Sequence, residues 1–359
     1  MNIERNQAEV ADSGRRRFCV GAGLTALAAL VPASAQSQKT PNIELGASIP
    51  LRTGNGEWVF EVAPGWGKLP PTKVFGGTHG GIATDRNGHV YVSTQSETGI
   101  LVYTPDGVLL KTIADEYPEV HSMHYAQEGT EEYLYTTVQK GTTRENWLFV
   151  KMKTDGTVVQ KIMAPPEAGF KAPNEWRLTA AVPGPDGSIF VANGYGDSRL
   201  FRFEKSGEYR AAYSGKGKTD GLMDCSHGLA VDTRYEQPLL LACDRENRRL
   251  CHFDFEGKFV RTVTEHLRRP CQVSFYGDYA AVSELEGRVT ILDKDNAPVA
   301  FLGDNPQKLQ WANYQLKPDD IASALFSAAH GCHFDTQGNL YVSDWNQVGR
   351  VTKLARIRA

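Results

Sequence analysis

The sequence predicts an all-β protein, a six-bladed β-propeller whose ring is closed by an N-terminal strand. One motif recurs six times: an apolar strand, a turn containing Asp or Gly, and a second apolar strand. The units continue into further apolar runs such as "GILVYTPDGVLLKTI" (99–113), and four short strands in about 40–50 residues are typical of a propeller blade. The six repeats begin at Gly80, His124, Thr179, His227, Cys271 and His330.

The two ends of the repeat array complement each other. The last unit ends near "GRVTKLARI" (349–357) and lacks an outer strand, whereas "EWVFEVAPGW" (57–66) precedes the first unit. Pairing of these two segments would close the ring and remove exposed sheet edges. We therefore expect a propeller over 57–359, preceded by a linker over 36–56.

The first 35 residues are predicted to be a twin-arginine-type signal peptide. Arg15 and Arg16 precede Phe18, an apolar run covers 20–31, and the small residues "ASA" occupy 33–35. This order of basic, apolar and small-residue regions is typical of export signals. The paired arginines favour the twin-arginine export machinery as a partner over the general secretory route. The prediction is a periplasmic or secreted protein.

The composition argues against two classes of partner. A formal net charge of −3 over 359 residues provides no basic field for nucleic acid. No apolar run after the signal reaches the roughly 18 residues that a stable membrane span needs. Five cysteines follow the signal, so at least one thiol is unpaired. Cys243 and Cys251 flank a predicted hairpin turn, where a cross-strand disulfide and two buried thiols are both open alternatives.

The repeat register predicts a metal site on the propeller axis. The first strand of each blade lines the central channel, so equivalent positions lie at one depth. His124, His227 and His330 begin alternate units and follow one another at intervals of 103 residues. Three imidazoles with an open fourth position are a zinc arrangement, and other divalent metals also accept imidazole. A strand-capping role for each histidine is the simpler alternative, and His79 and His121 lie near enough in sequence to compete as ligands.

Several segments resemble the NHL-repeat propellers and, among them, the peptidyl-α-hydroxyglycine α-amidating lyases. They are "FVANGYGDSRLFRFEKSGEY" (190–209), "CSHGLAVD" (225–232), "ACDRENRRLCHF" (242–253) and "AAHGCHFD" (328–335). The resemblance implies a zinc enzyme that cleaves the C–N bond of a carbinolamide in a peptide or small molecule, giving an amide and glyoxylate. It implies zinc ligands at His124, His227 and His330, a general base at Tyr195 and an active-site arginine at Arg245. A tyrosine beside a metal and an arginine is expected to ionise well below about 10.

The chain departs from that family at defined positions. No arginine occurs in "YVSTQSETG" (91–99), where the family has one that supports the tyrosine. Gly331 stands where the family has an aspartate that helps to bind a structural calcium ion. The resemblance therefore supports the zinc site more strongly than the calcium site or the exact substrate. Other hydroxy acids stay possible as substrates.

Two inserts are predicted to shape the mouth of the channel. The first covers 140–153 and 164–177, and the second covers 305–328. Trp311, Tyr314 and Trp345 are candidate pocket walls, since long aromatic insertions often carry binding. Two further function classes stay open because fold does not imply function: a non-catalytic propeller that binds a protein or glycan, and a lactonase-like metal enzyme.

Overall fold

A computed structural model describes residues 51–70, 73–139, 147–264 and 266–358. The predicted signal peptide (1–35) and most of the predicted linker lie outside these residues. Among the described residues, no helix is long and apolar enough to cross a bilayer. Short 3-10 turns cover Pro166–Ala168, Pro173–Glu175, Lys308–Gln310 and Pro318–Asp320.

The chain forms six antiparallel sheets, which are the six predicted blades. The first two strands are β1 (Arg52–Asn55) and β2 (Trp58–Val62). Blade one contains β3 (Ile82–Thr84), β4 (Val90–Ser93), β5 (Ile100–Tyr103) and β6 (Leu109–Ile113). Blade two contains β7 (Val120–Glu128), β8 (Glu131–Gln139), β9 (Trp147–Lys153) and β10 (Val158–Ile162). Blade three contains β11 (Ala180–Pro183), β12 (Ile189–Ala192), β13 (Arg199–Phe203) and β14 (Tyr209–Ser214).

The remaining blades follow in chain order. Blade four contains β15 (Ser226–Asp232), β16 (Leu239–Asp244), β17 (Arg249–Phe253) and β18 (Phe259–Thr264). Blade five contains β19 (Pro270–Tyr276), β20 (Tyr279–Glu284), β21 (Arg288–Leu292) and β22 (Pro298–Leu302). Blade six contains β23 (Ala329–Phe334), β24 (Leu340–Asp344) and β25 (Arg350–Arg356), followed in the sheet by β2 and β1. The first strand of each blade contacts the first strand of the next, and β23 contacts β3, so the ring is complete.

The N-terminal strand closes the ring as predicted. Strand β2 pairs antiparallel with β25, with Phe60 opposite Arg356 and Val62 opposite Leu354. Strand β1 then adds a fifth strand, so the sheet begins at Arg52, within the predicted linker. Two side chains of β1 tie it to blade five: Thr53 accepts a hydrogen bond from the backbone N–H of Gly303, and Asn55 donates one to the carbonyl of Val299.

Of the two alternatives for Cys243 and Cys251, the structure has the buried thiols, because both side chains are free and buried. In the β16–β17 ladder Cys243 lies opposite Leu250, and Cys251 lies opposite Ala242. Neighbouring positions of a strand point to opposite faces of the sheet. The two sulfur atoms therefore lie in different cores, Cys251 between blades three and four and Cys243 between blades four and five.

Two glycines allow the blades to approach each other near the axis. A Cβ atom on Gly228 would lie 2.3 Å from the carbonyl oxygen of Cys271 in blade five. A Cβ atom on Gly331 would lie 2.6 Å from Cα of Gly80 in blade one. The His-Gly dipeptides at 227–228 and 330–331 thus mark the points where a blade packs backbone to backbone against its neighbour.

Candidate metal centre on the propeller axis

Four histidine rings converge at one end of the central channel. The ring centroids of His79 and His121 are 4.4 Å apart, and those of His227 and His330 are 4.7 Å apart. His121 of blade two also lies 5.3 Å from His330 of blade six. These two blades are not neighbours in the ring, so the side chains meet across the axis.

Three of these histidines share one position in their blades. Four first strands carry a register shift at this point, centred on His121, His227, Cys271 and His330. Neighbouring positions are linked by hydrogen bonds: His121 Nδ1 to the carbonyl of Thr179, and His227 Nδ1 to the carbonyl of Cys271. We call the six residues at this level the axial ring; they are His79, His121, Thr179, His227, Cys271 and His330.

The structure brings together His227 and His330 as predicted, but it places His121 in the axial ring instead of His124. Strands β7 and β8 are each nine residues long and extend further toward the opposite end of the channel. Counting back from the β7–β8 turn by the number of residues that fits the other blades therefore ends at His124. This position is three residues short of the ring position at His121. His79, rather than Gly80, occupies the ring position of blade one. The His-Gly dipeptide at 79–80, which matches 227–228 and 330–331, is the signal that identifies His79.

His124 lies deeper in the channel, at a second level. It lines a cavity of about 220 Å³ together with His333, Gln272 and mostly apolar side chains. His333 Nε2 lies 2.9 Å from the hydroxyl of Thr84. Burial lowers the pKa of both His124 and His333 to about 4. His124 also lines a small space together with His121 and His227, but among the described residues it is not one of the histidines whose ligand atoms lie within 4.8 Å of one another.

Several imidazole nitrogens of the axial ring can accept a hydrogen bond but do not receive one. With Nδ1 of His121 and His227 bonded to carbonyl oxygens, these rings present Nε2 as an acceptor. Both Nε2 atoms face the hydroxyl of Tyr195, at 3.1 and 3.0 Å. One hydroxyl carries one proton, so it can donate to only one of them. Among the described residues, neither nitrogen of His79 nor Nδ1 of His330 has a hydrogen-bond partner.

These residues fit a metal ion. Two sets of ligand atoms lie within 4.8 Å of one another: His79, His121 and His330, and His227, Cys271 and His330. Burial lowers the pKa of His79 to about 3 and holds the pKa of the other three ring histidines well below 6.5. The imidazoles are therefore neutral at pH 7, which is the form that binds metals.

Tyr195 and Arg245 lie at the same end of the channel as the ring histidines. Tyr195 is in the β12–β13 connection and Arg245 is in the β16–β17 connection, and Arg245 donates a 3.3 Å hydrogen bond to the Tyr195 hydroxyl. Burial raises the pKa of Tyr195 above its ordinary value, and the Arg245 guanidinium partly offsets this rise. Tyr195 and Arg245 alone therefore do not produce the low Tyr195 pKa, well below 10, that was expected from the sequence.

The three predicted pocket aromatics lie at different distances from the ring. Trp345 lies beside it, with ring centroids 6.3 Å from His330 and 6.5 Å from His79. Tyr314 packs on Trp345 at 4.6 Å. Trp311 instead donates to the carbonyl of Asn305 and stacks under Arg268. The insert thus brings Tyr314 close to the ring through Trp345, while the contacts of Trp311 lie within the insert and with blade five.

The fold and the axial ring define a six-bladed β-propeller with a buried polyhistidine centre. In fold it is similar to a gluconolactonase from Xanthomonas campestris, with a TM-score of 0.57 and 14% identity over 85% of this chain and 95% of that chain. Virginiamycin B lyase from Staphylococcus aureus gives 0.51 and 14% over 80% and 98%. A streptogramin B lyase gives 0.53 and 13% over 79% and 95%. These identities show the fold alone. No protein-family model and no curated protein matches the sequence.

Proposed function

We propose that this protein is a metal-dependent lyase that cleaves the C–N bond of an α-hydroxy amide, giving an amide and glyoxylate. The contact of Tyr195 with His121, His227 and Arg245 carries the proposal. The resemblance of the sequence to the amidating lyases supplies the reaction class. Three residues named by that resemblance, Tyr195, Arg245 and His227, lie within one hydrogen-bonded cluster. His121 takes the place that the resemblance gave to His124.

The reaction requires one proton to move from oxygen to nitrogen. As the C–N bond breaks, the hydroxyl carbon becomes the aldehyde of glyoxylate and the nitrogen needs a proton to leave as the amide. As the phenolate, Tyr195 Oη can take the hydroxyl proton and then donate it to that nitrogen, so the phenolate is regenerated. A zinc ion bound by the axial ring would act as a Lewis acid and lower the pKa of oxygen atoms near it. Arg245 assists by lowering the pKa of Tyr195 against the effect of burial.

Two arginines flank Tyr195 and can bind the carboxylate that becomes part of glyoxylate. The Arg245 Cζ atom lies 5.2 Å from the Tyr195 ring centroid, and the Arg177 Cζ atom lies 5.7 Å from it. The backbone of Arg177 is bonded to the same loop, since its carbonyl accepts the Tyr195 N–H. Arg177 therefore supports Tyr195 from the start of blade three, although blade one lacks the family's supporting arginine.

Two measurements test the proposal together. Purified protein is expected to bind zinc in near-stoichiometric amount and to release glyoxylate from an α-hydroxyglycine peptide. Glyoxylate release that a chelator abolishes and zinc restores supports the reaction. Bound metal without glyoxylate release contradicts the substrate class, and stable protein that takes up no metal contradicts the whole proposal.

We also propose export by the twin-arginine route, which carries folded cargo. Residues 1–35 carry this proposal through Arg15 and Arg16. Replacing both arginines by lysine should keep the protein in the cytoplasm, whereas a matched change of Arg52 and Arg86 should not. Continued export of the lysine variant would indicate the general secretory route.

A further inference from the structure

We infer that Cys271 supplies a thiolate ligand to a metal ion in the axial ring, together with His227 and His330. The inference rests on the proposed function only in taking the ring as a metal centre. It goes beyond it because it adds sulfur to the ligand set and thereby narrows the class of metal.

Cys271 occupies the ring position of the blade between those of His227 and His330. The three first strands, β15, β19 and β23, belong to consecutive blades and contact one another in order. Each carries its register shift at the ring residue. Position in the repeat therefore directs this cysteine to the same end of the channel as the two histidines.

The distances and the burial of the three side chains suit coordination. Their ligand atoms lie within 4.8 Å of one another. The exposed fractions are 2% for His227, 1% for Cys271 and 2% for His330. Among the described residues, Nδ1 of His330 has no hydrogen-bond partner although it is buried. A buried polar nitrogen without a partner is unfavourable, and a metal ion bound there would relieve this penalty.

The surroundings also hold each ligand in a suitable state. The hydrogen bond from His227 Nδ1 to the Cys271 carbonyl, at 2.9 Å, leaves Nε2 of His227 as the acceptor nitrogen, which faces the Tyr195 hydroxyl at 3.0 Å. The Arg245 guanidinium places a positive charge beside the Cys271 sulfur, which partly offsets the rise in the pKa of this thiol that burial causes. The thiol also donates a long hydrogen bond to a weak acceptor, the Arg269 carbonyl at 3.6 Å.

A ligand set of one thiolate and two imidazoles selects the class of metal. Sulfur and imidazole ligands favour zinc and copper, whereas magnesium and calcium favour oxygen ligands. On binding, the thiol loses its proton to the solvent and the metal–sulfur bond forms. The ring is therefore expected to take up zinc in preference to calcium or magnesium.

X-ray absorption at the zinc edge tests the inference on the full-length protein loaded with an equimolar amount of Zn²⁺. We expect one sulfur scatterer at about 2.3 Å, which is lost in Cys271→Ser and kept in Cys225→Ser. Cys225 is the matched control because it is also buried and lies near Arg245, but it is outside the ring. With cobalt as the probe, the thiolate-to-metal absorption band should follow the same pattern.

The possible results separate this inference from the lyase proposal. A zinc shell of nitrogen and oxygen alone in the unmodified protein overturns it, even if Cys271→Ser fails to fold. A sulfur signal that persists in Cys271→Ser also overturns it, and so does a folded protein that takes up no zinc. A sulfur signal without glyoxylate release supports the ligand and contradicts only the proposed substrate.

Discussion

The hydroxyl oxygen of Tyr195 lies 3.0 Å from Nε2 of His227, across the boundary between blades three and four. The same oxygen lies 3.1 Å from Nε2 of His121 in blade two. The hydroxyl thus joins the histidines of two blades to a loop of a third. This contact makes Tyr195 part of the candidate metal centre, although it lies outside the axial ring.

Replacing Tyr195 by phenylalanine removes the hydroxyl and keeps the aromatic packing. We expect the rate of glyoxylate release to fall about 10²–10⁴-fold, because proton transfer by a positioned side chain contributes that much. Bound zinc, measured by metal analysis, should stay unchanged. Tyr235→Phe is the control, since that hydroxyl, in the β15–β16 connection, donates to the Lys294 carbonyl and accepts from Asn296. A rate close to that of the unmodified protein would exclude Tyr195 from the proton transfers.

Exchange of His121 or His124 for alanine distinguishes the two levels of the channel. His121 belongs to a set of ligand atoms within 4.8 Å of one another, whereas His124 faces the deeper cavity. We expect His121→Ala to lose most of the bound zinc and His124→Ala to keep it, as measured by metal analysis after dialysis. The opposite result would restore the register that was predicted from the sequence.

The sequence could predict the blades but not the exact residue of the ring in every blade. His227 and His330 were found because their hairpins have similar lengths, so counting from the turn reaches the ring. The longer hairpin of blade two moves the ring residue to His121. Hairpin length depends on how far the strands stay paired, and no local motif records it.

The closing strand could be predicted from the sequence, whereas the state of Cys243 and Cys251 could not. Strand counting showed that the last blade lacks an outer strand, and the segment 57–66 before the first blade supplied it. The pairing of Cys243 with Cys251 depended on the face to which each sulfur points. A difference of one residue in ladder register decides this face, and the turn sequence alone does not determine the register.

The histidines with a lowered pKa predict a loss of stability in mild acid. Six have a pKa below 6.5 in the folded protein: His79, His121, His124, His227, His330 and His333. In the unfolded chain they bind protons near pH 6.5, so below that pH the unfolded state holds more protons. Stability should therefore fall as pH drops from about 6.5 toward 4, by up to about 1.4 kcal/mol per pH unit for each histidine.

Urea unfolding between pH 7.5 and pH 5 measures this effect. Replacing His124 and His333 together by glutamine should make the pH dependence shallower while leaving the axial ring in place. Unfolding free energies that do not change over this range would show that the histidines are not buried as neutral groups.

The five free cysteines predict how many thiols react after unfolding and whether a reductant changes the melting temperature. Cys225, Cys243, Cys251, Cys271 and Cys332 are all buried and unpaired. After unfolding in denaturant without reductant, we expect five reactive thiols in protein cleaved after Ala35, and reductant should not change the melting temperature. Three reactive thiols would instead indicate one disulfide, and with it a different arrangement of blades four and five.

Replacing Trp58, which lies in the closing strand β2, is expected to lower the unfolding free energy strongly. This side chain is 3% exposed, its ring lies 4.6 Å from that of Tyr279, and the Arg356 guanidinium stacks on it at 3.9 Å. Trp58→Ala removes contacts to blade five and to β25 together, so we expect about 3–5 kcal/mol lower unfolding free energy. Leu309→Ala is the control, because Leu309 is 94% exposed and should change stability by less than about 0.5 kcal/mol. Equal effects of the two substitutions in urea unfolding would mean that the N-terminal strand does not hold the ring closed.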